Sequence, residues 1–293
     1  MRIGTRGSAL ALAQARQVAA LLGGSHALVE VTTSGDRGAS DAGDKERWVR
    51  ELDAALLDGS VDCAVHSAKD VPARIPEGIV IAAVPERADP RDALCGAPGL
   101  AALAAGARVG TSSLRRSAQL RALRPDLEVV ELRGNVDTRL RRLAAGEYDA
   151  IVLALAGLER LRRDTEGVAL DELVPAAGQG CLAVTTRAGE ESIVAAIDHA
   201  LSTRALTAER ALVHGLDADC HTPVGAHASS LPDGRLRLRA FVGAADGSSW
   251  VRDELSGEEP DELGAEVARR LLSAGAREVL GATHPTPTNV HRV

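Results

Sequence analysis

The sequence predicts an α/β protein of three domains, two α/β lobes followed by a smaller α+β unit. Three observations carry this expectation. Short apolar runs alternate with helical patterns from the first residues onward. The alternation restarts after the Pro and Asp punctuation between Pro85 and Pro90. Beyond Thr203 the order changes to a helix, three strand-like runs and a final helix. At 293 residues the chain also exceeds what one hydrophobic core usually organises.

Arg2 to Thr5 reads as a strand, leading into a helix from about Ser8 to Leu22. Ala27 to Thr33, a helix from about Glu46 to Leu57, and Val61 to His66 continue the pattern. Val61, Cys63 and Val65 alternate with Asp62 and Ala64, which makes Cys63 a packed core thiol. In the second block, strands are expected near Arg108 to Gly110, Leu127 to Leu132 and Ala150 to Leu155, each running into a helix. After Gly178-Gln179-Gly180, the strand-like Leu182 to Thr186 and a helix from about Glu190 to Leu201 fit either lobe. A return to the first lobe would give a two-lobed body with a cleft. The last block contains strands at Val224 to Leu231, Arg235 to Val242 and Ser249 to Leu255, and a helix from about Asp261 to Ala274. The tail from Thr283 to Val293 is expected to be disordered.

Composition excludes several functions. Hydrophobic residues form 45% of the chain but aromatics only 1%, so the core rests on aliphatic side chains and platforms for base stacking are nearly absent. A net charge of -7 argues against a general nucleic-acid or anionic-membrane surface. Cys63, Cys95, Cys181 and Cys220 are widely spaced with no CxxC pair, and the 8 His residues show no HExxH. The expectation is free thiols, no metal and a cytoplasmic protein. No window is apolar and long enough for a transmembrane helix.

Of the 34 basic residues only Lys45 and Lys69 are lysine, a ratio that coding bias explains, so position must carry any argument about arginine. In Gly110-Thr111-Ser112-Ser113-Leu114-Arg115-Arg116 a strand ends in glycine and a Ser/Thr cluster caps a helix. Its first turn offers unpaired N–H groups to an anion. Two arginines there oppose the helix dipole at a cost of about 0.3 to 1 kcal/mol each, which a bound carboxylate would offset. Leu132-Arg133-Gly134-Asn135-Val136-Asp137-Thr138-Arg139 repeats the arrangement. From Arg108 to Arg163 there are 12 Arg against 7 acidic residues, so the positive field is confined to this block. Arg141, Arg142, Arg162 and Arg163 read as surface ion pairs. Arginine forks match carboxylate and phosphate equally. With neither a P-loop nor GxGxxG after a strand, a nucleotide is the weaker option.

His66-Ser67-Ala68-Lys69-Asp70-Val71-Pro72 follows a strand end, where α/β sheets present functional groups. Asp70 is the candidate to handle protons or stabilise a cation, against the alternative of a turn-capping aspartate. Cys220, in the polar loop Asp217 to Gly225, reads as a reactive or modified thiol. A Cys220/His221 nucleophile pair is the weaker reading, since sequence neighbours rarely form one.

Together these segments resemble the porphobilinogen deaminase (hydroxymethylbilane synthase) family. The carriers are Ile3 to Ser8 with Leu10-Ala11-Leu12, His66 to Pro72, Asp89-Pro90-Arg91-Asp92-Ala93, Gly110 to Arg116, and Leu132 to Leu140. Gly146 to Ala150, Gly178-Gln179-Gly180, and Cys220 with Pro223 and Gly225 complete the set, which spans nearly the whole chain. The resemblance implies a transferase that joins four porphobilinogen molecules into a linear tetrapyrrole. It implies two lobes like those of periplasmic binding proteins, and a dipyrromethane cofactor, held by a thioether to Cys220, that serves as primer. Asp70 would assist loss of ammonia and stabilise the resulting azafulvene-like cation. Ser67, Lys69, Thr111, Ser113, Arg115, Arg116 and Asn135 would hold the cofactor's carboxylates. Arg6, Ser8, Gln14, Arg133, Arg139, Arg160 and Gln179 would serve substrate or the growing chain, and Lys45 and Trp48 belong to a lid. The division expected is 1–86 with 181–199 as domain 1, 90–176 as domain 2, 203–282 as domain 3 and 283–293 as tail. A monomer is expected, with neither nucleic-acid nor membrane partners.

Two departures from the family pattern stand out. The lid segment Gly43-Asp44-Lys45-Glu46-Arg47-Trp48 has fewer glycines than the family's, and Asp219 replaces a common glycine before the cysteine. The competing readings are a non-catalytic solute-binding protein of the same two-lobed build, and a cysteine hydrolase at Cys220.

Overall fold

The computed structural model describes residues 1–33, 46–218 and 222–281, with the side chains of 46–48 excepted. Lys45, the Trp48 side chain, Asp219, Cys220, His221 and the tail 283–293 therefore lie outside the described residues.

The chain begins β1 (Arg2–Thr5), α1 (Ala9–Leu22), β2 (Ala27–Glu30), α2 (Glu46–Leu57), β3 (Cys63–Ser67), β4 (Ile79–Ala83). Ser8 caps α1 by accepting from the Ala11 amide at 3.2 Å, and Gly23, at φ 67°, ends it. Ala15 and Val18 of its inner face pack with Ile3, Cys63 and Val65. The second block runs β5 (Asp92–Cys95), β6 (Arg108–Gly110), α3 (Leu114–Leu123), β7 (Glu128–Val130), α4 (Val136–Ala144), β8 (Ala150–Ala154), α5 (Leu155–Arg160), β9 (Val168–Leu170). Then come β10 (Leu182–Arg187), α6 (Ala200–Gly215), β11 (Val224–Ser230), β12 (Leu236–Gly243), β13 (Trp250–Gly257), α7 (Pro260–Ser273) and α8 (Ala276–Gly281).

Two five-stranded sheets, ordered β2-β1-β3-β10-β4 and β7-β6-β8-β5-β9, form the lobes. Each has three parallel strands followed by one antiparallel strand in the fourth place, β10 in one and β5 in the other. Both of those strands directly follow a segment that crosses between the lobes. The crossings touch, the Ala88 amide donating to the Gly180 carbonyl at 3.3 Å. Gly180 adopts φ 88°, and a Cβ there would overlap the Ala88 carbonyl oxygen, so the close approach requires glycine. The antiparallel sheet β11-β12-β13 packs on α6 and α7 through Leu212, Ala226, Leu238, Val267 and Leu271.

Three strands, β4, β5 and β9, are not among those the sequence predicts. The helix expected over Glu190–Leu201 is instead two 3-10 turns, Glu191–Ile193 and Ala195–Ile197, and α6 begins at Ala200. Asp198 breaks the segment by turning its carboxylate to the Val84 amide at 2.8 Å and the Thr203 hydroxyl at 2.6 Å.

Candidate active site

A cleft of about 870 Å3 lies where the two lobes and α6 meet. Its first wall is the 3-10 turn Ala68–Asp70, which continues β3. The Ala68 amide donates to the Cys181 carbonyl at 3.0 Å, tying this turn to the second crossing. Arg210 of α6 completes the wall, its Nη2 donating to the Pro72 and Ala73 carbonyls at 2.8 and 3.0 Å. The loop that carries Asp70 is thus fixed from the third domain as well as from its own sheet. Lys69 Nζ donates to Gln179 Oε1 at 3.2 Å. Burial, then the charge of Arg116, pulls the Lys69 ammonium down to about 8.

The facing wall is the start of α3. Ser113 accepts from the Arg116 amide at 3.4 Å, and Thr111 Oγ1 accepts from the Ser113 amide at 3.2 Å, so both hydroxyls are engaged in forming the helix end. Arg115 and Arg116 are both buried, and the anion that compensates them is internal. Asp92, with no exposed surface, accepts from Arg115 Nη1 at 2.7 Å and from Arg116 Nε at 2.9 Å. Burial would raise the Asp92 pKa, but the two guanidiniums outweigh it and hold the carboxyl well below the usual carboxylate range. The expectation that a bound carboxylate offsets these arginines is therefore corrected. A strand-edge aspartate does so within the lobe, a pairing that no local spacing reveals.

Arg139 of α4 reaches the same wall and donates to Ser112 Oγ at 2.9 Å. Burial, then Arg116, lowers its pKa to about 10. Gln179 sits between the walls, with Nε2 donating to Asp92 Oδ1 at 2.9 Å and to the Pro90 carbonyl at 2.8 Å.

The cleft thus gathers Lys69, Asp70, Ser113, Arg115, Arg116, Arg139 and Gln179. Other expected residues face elsewhere. Ser8 caps α1, and Ser67 accepts from Gln14 Nε2 at 2.7 Å, which occupies both side chains. Asn135 caps α4 by accepting from the Thr138 amide at 2.9 Å. Arg133 is exposed and paired with Glu131 at 2.7 Å, and Arg160 donates to Gln17 and the Gly180 carbonyl. Arg6 is half-buried in the β1–α1 turn, and its charge is felt at His66. Residue-level reasoning missed Asp92, Ser112 and Arg210. Only Asp92 had a local signal, an acidic residue opening the apolar run Ala93-Leu94-Cys95.

Comparison with known proteins gives this arrangement its context. The family model "Porphobilinogen deaminase, dipyromethane cofactor binding domain" matches residues 1–195, and that family's C-terminal domain model matches residues 203–273. The porphobilinogen deaminase of Deinococcus deserti is 48% identical over 96% of this chain and 97% of its own length. That of Rubrobacter xylanophilus is 49% identical, over 95% and 96% respectively. Among solved structures, the methionine binding protein MetQ covers 67% of this chain and 88% of its own at 15% identity and TM-score 0.42, a loose likeness. With family models covering both lobes and the third domain, and near-half identity along almost the whole length, the chain belongs to the porphobilinogen deaminase family.

Proposed function

We propose that this chain condenses four porphobilinogen molecules head to tail into hydroxymethylbilane with loss of ammonia. The observation that carries the reading is that the carboxylate of Asp70 shares a single cleft with a buried cluster of cations. Each pyrrole of substrate and product carries two carboxylates, which such a cluster suits.

The residues present fit a dipyrromethane cofactor. Arg115 Nε and Arg139 Nε are buried without a hydrogen-bond partner, so the wall retains donors for a ligand carboxylate. Lys69, Ser113, Arg115, Arg116 and Arg139 would hold the cofactor, with attachment at Cys220. Asp217, Ala218 and Thr222, the described residues flanking that position, line the cleft. When bound, the cofactor supplies the primer pyrrole to which substrate units are joined. Asp70 stabilises the positive charge left on the substrate pyrrole as ammonia departs, and Arg210 keeps Asp70 in place by holding the carbonyls that follow it. Gln179 spaces the walls. Arg6, Arg133 and Arg160 are not among the residues lining the cleft and would serve the incoming unit or the longer chain.

We take the chain to act as a monomer. Among the described residues no helix is long and apolar enough to cross a membrane, and we take the cytoplasm as its compartment. The two five-stranded sheets and the antiparallel sheet support the three-domain division given above. Family membership disfavours the solute-binding reading.

The test is mass and turnover of the purified full chain. The adduct of two pyrrole units should vanish in Cys220→Ser, whereas Asp70→Asn should keep it and lose about 10²- to 10³-fold in kcat. An unmodified mass in active protein, or wild-type turnover in Asp70→Asn, would overturn the assignment.

A further inference from the structure

Asp92 has no part in the function as proposed, yet donors from two segments of chain, the start of α3 and the second crossing, converge on it. Its Oδ2 accepts from Arg115 Nη1 at 2.7 Å. Its Oδ1 accepts from Arg115 Nη2 at 3.1 Å, Arg116 Nε at 2.9 Å and Gln179 Nε2 at 2.9 Å. The Gln179 amide is thereby turned so that its oxygen faces Lys69. Backbone carbonyls take further donors, Val174 from Arg115 and Val152 from Arg116. A ligand carboxylate that approaches these guanidiniums therefore meets donors already claimed by another carboxylate. The local charge of the three side chains is +1 rather than +2.

We propose that Asp92 is a positioning residue that stands in for a ligand carboxylate, presetting Arg115 and Arg116 while competing with the bound pyrrole chain for their donors. The proposal rests on the chain-building reading of the cleft. Removing one of two adjacent buried guanidiniums' internal partner leaves them dependent on an external anion. Competition has a kinetic consequence: a chain that lengthens by one pyrrole at a time must pass across the wall, and too firm a hold on each carboxylate lowers KM and slows turnover together.

The experiment uses the full-length, cofactor-bearing protein, with malonate as a dicarboxylate probe. In Asp92→Asn, added malonate should raise the thermal midpoint by at least about twice the wild-type shift, because the freed arginines bind it more tightly. KM for porphobilinogen and kcat should each fall about tenfold, the loss of one charged hydrogen-bonding competitor. Asp92→Glu should restore both toward wild type. If Asp92→Asn does not fold, the double variant Asp92→Asn/Arg115→Gln removes one charge of each sign and still frees Arg116. The same enhanced malonate shift is expected of it. A malonate shift equal to wild type in whichever variant folds, or a KM that is unchanged or raised, overturns the proposal. Wild-type protein that bears no turnover would instead overturn the functional reading, and the malonate comparison would still decide the role of Asp92.

Discussion

Glu209 gives the sharpest prediction about what holds the three domains together. It has no exposed side-chain surface, and its partner Arg87 is 11% exposed. Oε1 accepts from Arg87 Nη1 at 2.6 Å and from the Ala228 amide at 2.8 Å. Oε2 accepts from Arg87 Nη2 at 3.2 Å and from the Gly178 amide at 2.6 Å. One carboxylate on α6 thus ties the first crossing, the second crossing and β11. Glu209→Gln keeps the shape but turns an NH2 group toward one of these donors and leaves Arg87 as a buried, uncompensated cation. Breaking a buried pair from one side costs about 3 to 5 kcal/mol. At about 2 to 4 °C per kcal/mol for a chain of this size, the thermal midpoint should fall by about 10 °C. Replacing both partners, as Arg87→Met/Glu209→Leu, should cost less than the single change, because no charge is then stranded. Thermal unfolding followed by circular dichroism measures both. A loss below about 1 kcal/mol in Glu209→Gln, or a double variant worse than the single, would refute the reasoning.

Two further outcomes are expected. Lys69 is held down to about 8 by burial, so its ammonium is present below that pH and lost as pH climbs through it. KM for the anionic substrate should rise above pH 8 in wild type and stay flat in Lys69→Arg, whose charge persists; an equal rise in both would exclude Lys69 as its source. Gly180→Ala places a Cβ against the Ala88 carbonyl at φ 88°, and should destabilise by about 2 kcal/mol or more. Gly189→Ala, at the same φ with open space around it, should cost about 1 kcal/mol, and denaturant unfolding that gives equal losses would show that the crossing contact is unimportant.

Residues whose role is local were legible. Ser113 caps the helix that its Ser/Thr cluster suggests, because capping needs only three or four consecutive residues. For the same reason Asp70 at the end of β3 could be singled out from a strand followed by a polar turn. Arg115 and Arg116 show where local reasoning ends. The helix dipole calls for a negative charge there, but the supplier lies 23 and 24 positions earlier in the chain, on a different strand. Arg210 and Gln179 are further cases, since their partners lie 138 and 110 positions away.

The sequence by itself determined the α/β class, the helix ends, the block where positive charge concentrates and, through its ordered motifs, the family. These follow from short-range periodicity, capping and residue order, which need no knowledge of distant neighbours. Only the tertiary structure decided that β10 returns to the first sheet, that Asp92 neutralises the arginine pair, and that Arg210 and Glu209 bind the third domain to the cleft. Each of those depends on a contact between residues far apart in sequence, where burial, not spacing, selects the partner.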